Sequence, residues 1–349
     1  MRATNQARST QRSEPLRIGI LGAARIAGLS MIGPARATGH RVVAVAARNP
    51  DRAEAFAVQH GVDRAHADYQ AVLDDPNVEV VYNALVNSEH ARWNIAALRA
   101  GRHVLSEKPF TANADQAKAV REVALEVTGA SGGTIVEGFH YLHHPVTQRL
   151  RQIVASGRLG ELRHIEIDMQ MAAPPVDDPR WSYELAGGAL MDIGCYALHA
   201  CRQFGRWTTS GEPWLVSATG GARAGRPAVD EWMTVGLAYP DGLSGTARWN
   251  MASTIERRMT WTITGEHGSV MAPSWPVPHL DDRVVLTTST GSHEEFVGRR
   301  TSYTYQLEAL AGSLRAGEPF GIDVDDAVAS MTLVDQVYAA AGFPLRGAG

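Results

Sequence analysis

Through the first 140 residues, short apolar runs alternate with longer stretches whose apolar positions recur at helical spacing. Leu16 to Leu21 is the first run, Gly22-Ala23-Ala24 a small-residue turn, and Arg25 to Thr38 a helix-like stretch stopped by Gly39. The runs Arg41 to Ala47, Val78 to Leu85, His103 to Leu105 and Thr134 to Glu137 repeat the strand pattern, with helices expected over Ala91 to Ala100 and Asn113 to Val127. Strand and helix alternating at this interval predict an α/β domain, a Rossmann-type parallel doubly wound sheet that ends near Phe139.

The pattern then changes. After a helix from Pro145 to Ser156 and a strand from Leu162 to Met171, strand-like runs crowd together: Leu215 to Gly220, Asp230 to Tyr239, Gly242 to Met251, Arg258 to Thr264, Ser269 to Pro273 and Arg283 to Thr288. Pro-Asp-Gly and Gly-Glu-His-Gly turns between them predict a large, open, mainly antiparallel sheet, and helices over Ser302 to Ala316 and Asp325 to Ala341 complete an α+β domain. The expected organisation is a disordered tail over 1–15, a dinucleotide-binding domain over 16–139, and a substrate-binding and dimerisation domain over 140–349.

Composition narrows the partners. The 349 residues exceed what one ordinary core organises. A net charge of −4 offers no basic excess for a nucleic acid or an anionic membrane, and no apolar run approaches the roughly 20 residues that cross a bilayer. The polar tail lacks the apolar segment of a secretory signal. Cys195 and Cys201, six apart, match no zinc or redox spacing, so a reducing compartment, the cytoplasm, is expected.

The candidate chemistry begins at His103-Val104-Leu105-Ser106-Glu107-Lys108-Pro109, where a strand ends in a lysine. Ligands of open α/β sheets sit beyond the carboxyl ends of the strands, within reach of such a lysine. Of the dinucleotide fingerprint only Gly22 is a glycine in register; Ala24 and Ala27 stand where the other two belong. Where NAD-binding folds carry an acidic residue, Arg48 and Arg52 stand one helical turn apart, a pair suited to clamp a 2′-phosphate and favouring NADP over NAD. His140, His143 and His144 invite a metal, but no carboxylate or cysteine nearby completes a ligand set, and none is expected. Asp192, Tyr196 and His199 recur at i, i+4 and i+7 and are predicted to share a helical face.

Ile18-Gly19-Ile20-Leu21-Gly22-Ala23-Ala24-Arg25-Ile26-Ala27, the Asn87 and His90 strand exit, and Glu107-Lys108-Pro109 together resemble the Gfo/Idh/MocA (glucose-fructose oxidoreductase / inositol dehydrogenase / rhizopine catabolism) oxidoreductases. The similarity is greatest to the branch containing dimeric dihydrodiol dehydrogenase and NADP-dependent D-xylose dehydrogenase. It implies a cofactor site of Gly22, Ala24, Arg25, Ile26, Leu85, Asn87, His90, Glu107 and Lys108 beside the two arginines. It also implies Lys108, Asp192 and Tyr196 as the catalytic set, with His140, Trp181 and His199 completing a carbohydrate pocket. The expected reaction is hydride transfer between NADP, or NAD, and a sugar, sugar derivative or cyclic polyol, Lys108 favouring the Tyr196 phenolate that takes the proton. Leu142 stands where the branch usually carries an arginine that could grip an anionic substrate. A trans-dihydrodiol dehydrogenase and an inactive dinucleotide-binding regulator are the alternatives, and a reaction through transient oxidation on bound NAD is a third. The resemblance further implies a homodimer or homotetramer formed through the open sheet face.

Overall fold

The computed structural model describes residues 14–128, 133–252, 254 and 257–347; most of the tail expected over 1–15 lies outside them. Six strands form the first sheet: β1 (Arg17–Leu21), β2 (Arg41–Ala46), β3 (Arg64–His66), β4 (Val80–Asn83), β5 (His103–Ser106) and β6 (Ile135–Glu137). All pairs are parallel and the order is β3-β2-β1-β4-β5-β6. Ile18, Ile20, Leu21, Val80 and Val81 are fully buried, because helices cover both faces and each central strand must be apolar throughout. Strand order reverses beside β1, so the loops after β1, β4 and β5 open onto one crevice.

β3, Arg-Ala-His, carries no apolar run and is recognisable only by its pairing with Ala44 to Ala46 of β2. The helical stretch after β1 is continuous over 25–38 but widens into a π-helical turn at Gly28–Ile32 before Gly39 ends it with φ 78°.

The second sheet contains β7 (Leu162–Gln170), β8 (Trp214–Arg223), β9 (Arg226–Ala238), β10 (Ser244–Asn250), β11 (Arg258–Gly265), β12 (Gly268–Ala272), β13 (Arg283–Thr288) and β14 (Gly291–Phe296). Its order is β14-β13-β12-β11-β7-β10-β9-β8, antiparallel except between β7 and β10. Ile165, Ile167, Ala247, Trp249, Trp261 and Ile263 form its buried face, against which the helix Cys195–Thr208 packs. Both cysteines lie buried and free on that helix. β14, Gly-Ser-His-Glu-Glu-Phe, has a polar sequence and exists as an edge strand paired with β13.

The last two helices return to the first sheet. Ser302–Ala316 packs on Gly33–Thr38, and Val324–Ala340 lies between Ala114–Thr128 and Cys195–Thr208. Arg315 meets Glu79 in a two-pronged pair, so residues from the far end of the chain brace the dinucleotide-type sheet. Among the described residues no helix is long and apolar enough to cross a membrane.

Candidate active site

The crevice at the carboxyl ends of β1, β4 and β5 continues into a cleft of about 430 Å³ whose far wall is built by the segments around Arg180, Gly188 and Asp192. Gly22, in the turn after β1, has φ 101°, and a Cβ there would come within 3.0 Å of the Ala84 carbonyl oxygen. Only glycine fits, because the turn packs directly against the end of β4. Ala24, Arg25 and Ile26 line the cleft directly after this turn, as do Leu85 and Asn87 after β4. Arg48 and Arg52 stand exposed beyond β2, Arg52 donating to the Ala23 carbonyl at 3.3 Å. This floor fits a dinucleotide: Ala24, Arg25 and Ile26 bring the start of a helix to the cleft, and two guanidinium groups stand at the end where the adenosine ribose belongs. When bound there, such a cofactor supplies the hydride donor or acceptor.

The catalytic candidates converge on one wall. Lys108 Nζ donates to the Asp192 backbone carbonyl at 2.7 Å and lies 3.4 Å from its carboxylate. Burial opposes the ammonium, yet the negative charge of Asp192, with Glu107 beside it, outweighs it and raises the Lys108 pKa above its ordinary value. Arg180, which sequence reasoning missed, holds the other Asp192 oxygen at 3.2 Å while also facing Asp178 at 3.6 Å. Glu107 sits beneath, receiving hydrogen bonds from the Tyr82 hydroxyl and the Lys108 amide; burial raises its carboxyl above the usual range.

The Asp192 segment is positioned by a buried ion pair. Arg346 and Asp230 meet at 2.9 Å with both side chains sealed from solvent, and Asp230 accepts from the Tyr338 hydroxyl and the Leu190 amide. Gly188, at φ 137°, lies so close to this pair that a Cβ would stand 2.1 Å from Asp230 Oδ1. From there a π-helical turn, Leu190–Gly194, runs into the helix Cys195–Thr208 and delivers Asp192 and Tyr196 to the cleft.

The expected Tyr196 phenolate is not what this geometry supports. Lys108 Nζ faces the ring, 5.1 Å from its centroid, and bonds to Asp192, whereas the Tyr196 hydroxyl lies 2.8 Å from His140 Nε2. Burial pushes the phenol well above its ordinary pKa, so Tyr196 is neutral.

Four expected site residues have side chains buried in the core, away from the cleft. His90 is fully buried, its two ring nitrogens facing the Pro109 and Leu85 carbonyls, which join the loops after β5 and β4. Trp181 is sealed under the Arg223 guanidinium, 4.6 Å from the ring, and donates to Pro174. His199 shares a helical side with Tyr196 but lies deeper in the core, stacked 3.7 Å from Phe139 and bonded to Tyr141 and Asp326. His140, 2% exposed, stands behind Tyr196. Tyr303, Met171, Met259 and Arg257 line the cleft in their stead. They come from segments distant in sequence, and no spacing signal connects them. Leu142 is buried, so the position that the resemblance reserves for an arginine contributes packing.

The three clustered histidines go separate ways: His140 to Tyr196, His143 against the Phe320 ring, and His144 to the start of the helix Pro145–Ala155.

Residues 16–129 match the oxidoreductase family described by its NAD-binding Rossmann fold, and residues 147–271 match the GFO/IDH/MocA C-terminal domain. A D-xylose 1-dehydrogenase (NADP(+)) of Haloferax volcanii is 34% identical over 326 residues, 93% of this chain and 96% of the relative. A trans-1,2-dihydrobenzene-1,2-diol dehydrogenase of Sus scrofa is 32% identical over 261 residues, covering 74% and 72%. The structure of KijD10, a 3-ketoreductase from Actinomadura kijaniata in complex with NADP and TDP-benzene, superposes with a TM-score of 0.84 at 27% identity over 94% of this chain and 98% of that one. With a dinucleotide floor and a Lys-Asp-Tyr wall meeting in one cleft, these matches make the chain a member of the Gfo/Idh/MocA family, an NAD(P)-dependent oxidoreductase acting on CH-OH groups.

Proposed function

We propose that this chain is an NADP-dependent dehydrogenase or reductase of a sugar, sugar derivative or cyclic polyol, whose reacting oxygen sits between Lys108 Nζ and Tyr196 Oη. The observation that carries the reading is the joint placement of Lys108, Asp192 and Tyr196 on the cleft wall opposite the Gly22 turn. Lys108 hydrogen-bonds the substrate oxygen and stabilises negative charge on it, while Asp192, clamped by Lys108 and Arg180, orients the ammonium. Tyr196, a neutral phenol, transfers the proton. NADP over NAD rests on Arg48 and Arg52, and the names of the xylose dehydrogenase and the ketoreductase point the same way.

Met171, Met259, Leu185 and Ile193 give the cleft apolar surface as well, which keeps a trans-dihydrodiol as the second substrate class. A regulator without chemistry has no use for the Lys108–Asp192–Arg180 clamp. Trp214, Val216 and Trp232 are exposed on β8 and β9, the surface through which a second copy would dock.

The test titrates NADPH and NADH into purified protein and scans sugars, polyols and trans-dihydrodiols for hydride transfer. Exchangeable NADPH with turnover on a sugar is expected. Tightly held NAD without net redox would replace this reading with transient oxidation, and binding without any turnover would favour the regulator.

A further inference from the structure

Behind the cleft wall lies a buried chain of exchangeable protons. His140 Nε2 is 2.8 Å from Tyr196 Oη, and His140 Nδ1 is 2.8 Å from Ser302 Oγ, in the first turn of the helix Ser302–Ala316. Ser302 is fully buried, and the Tyr303 ring packs 4.0 Å from the imidazole. No carboxylate hydrogen-bonds to His140 among the described residues. The charged and titratable groups around it are Lys108, His143, His144 and His279, whose positive forms oppose an imidazolium, and the phenols of Tyr196 and Tyr303. Burial acts first and these charges next, holding the His140 pKa well below its ordinary value. At neutral pH the ring is uncharged, with one nitrogen free to accept a proton.

We infer that His140 is a positioning residue that acts through Tyr196, serving as the proton acceptor behind it, in the tautomer whose Nδ1–H donates to Ser302. The inference rests on the proposed role of Tyr196. With Nδ1–H donating to Ser302 Oγ, the Nε2 lone pair faces the Tyr196 hydroxyl. In the oxidative direction the substrate carbon loses hydride to the cofactor while its O–H bond breaks toward Tyr196 Oη. The proton that Tyr196 already carried passes at the same time to His140 Nε2. The phenol therefore never becomes a buried phenolate, which its raised pKa would make costly. The products are a carbonyl, the reduced cofactor and a transient imidazolium. Once product leaves and water enters the cleft, Tyr196 gives a proton to water and regains one from His140. Reduction runs the same transfers backwards.

The test compares wild type, Tyr196→Phe, His140→Gln and Ser302→Ala with NADP+ and D-xylose, or with the fastest sugar of the panel if xylose is not oxidised. Glutamine retains a hydrogen bond to Tyr196 but accepts no proton. His140→Gln is expected to lower kcat by about 10- to 100-fold, with KM and the NADPH Kd within about twofold of wild type. Its rate should rise with pH between about 7 and 9, where wild type is flat, since Tyr196 must then discharge to solvent. The curved proton inventory of wild type, two protons moving together, should become linear. Ser302→Ala, which leaves the imidazole in place, should lose only about three- to tenfold, the worth of one neutral hydrogen bond, and keep the flat profile. Independently of turnover, ¹⁵N NMR of histidine-labelled protein at pH 7 should show an uncharged His140 ring protonated on Nδ1.

A His140→Gln enzyme with the wild-type pH profile and proton inventory, beside a Tyr196→Phe enzyme that is impaired, overturns the relay alone. A ring already cationic at pH 7 overturns it too. If Tyr196→Phe is unimpaired, or no sugar is oxidised by wild type, the proposed function fails first and the relay with it.

Discussion

Lys108 and Asp192, 84 positions apart, are joined twice: the ammonium donates to the Asp192 backbone carbonyl at 2.7 Å and faces its carboxylate at 3.4 Å. The backbone bond fixes where the lysine points, and the carboxylate keeps it charged. Removing the ammonium takes away the donor to the reacting oxygen while leaving the cofactor floor intact. Lys108→Ala is therefore expected to lower kcat by about 10²–10⁴ with little change in NADPH affinity, as read by steady-state kinetics beside a fluorescence titration of NADPH. Equal loss in both would mean that the lysine serves binding.

Arg48 and Arg52 are exposed, and neither has a carboxylate partner among the described residues. Each charged hydrogen bond to a 2′-phosphate is worth about 1.5–3 kcal/mol, so Arg48→Ala or Arg52→Ala should raise the KM for NADPH by about 10- to 100-fold. The KM for NADH should not move. A parallel change for both cofactors would place the arginines elsewhere than at the 2′-phosphate.

The Asp230–Arg346 pair supports the Asp192 turn from behind. Asp230→Asn leaves the Arg346 guanidinium buried without its counter-charge, at a cost of about 3–5 kcal/mol. Chemical denaturation checks this, and the double change Asp230→Leu with Arg346→Met should recover much of the loss. Gly188→Ala should be strongly destabilising, since its Cβ has no free space beside Asp230.

His144 links stability to pH. It is fully buried, its Nδ1 accepting from the Val146 amide at the start of the helix Pro145–Ala155 and its Nε2 donating to the Arg300 carbonyl at 3.0 Å. Burial lowers its pKa to about 4. The unfolded chain binds this proton from about pH 6.5, the folded chain only near 4, so stability present at pH 7 is lost as pH falls through that window. The loss at pH 5 is about 2 kcal/mol from this residue, because the unfolded imidazole binds a proton there while the buried one, its Nδ1 capping the helix, stays neutral. Urea denaturation of wild type and His144→Asn at pH 7 and pH 5 tests it: asparagine keeps a cap and should show a shallower fall.

The two sheets were legible in the pattern because central parallel strands must be apolar on both faces, and antiparallel strands with one solvated face must alternate. β3 and β14 escaped notice for the converse reason. Arg-Ala-His and Gly-Ser-His-Glu-Glu-Phe sit at sheet edges, where neighbours supply the ladder and burial demands little. Lys108 and Tyr196 could be named in advance because the family resemblance singled out a strand exit and a helical repeat, both of them local features. Arg180 could not, because its importance is a 3.2 Å approach to a residue reached through an intervening turn.

By itself, then, the sequence determined the alternation of elements, the glycine that the first turn requires, the basic residues after β2 and the family to which the chain belongs. The first three follow from neighbours a few positions apart, and the family from three such stretches taken together. Tertiary structure alone decided which polar groups face the cleft and which are sealed within the core. His140, Trp181 and His199 were plausible pocket residues until packing placed one behind Tyr196 and the other two out of reach. Helical periodicity identifies a side of a helix, but depth along that side depends on the aromatic rings and ion pairs contributed by distant segments. The same packing turned Tyr196 from an expected phenolate into a buried phenol, since its protonation depends on desolvation that no short stretch of sequence encodes.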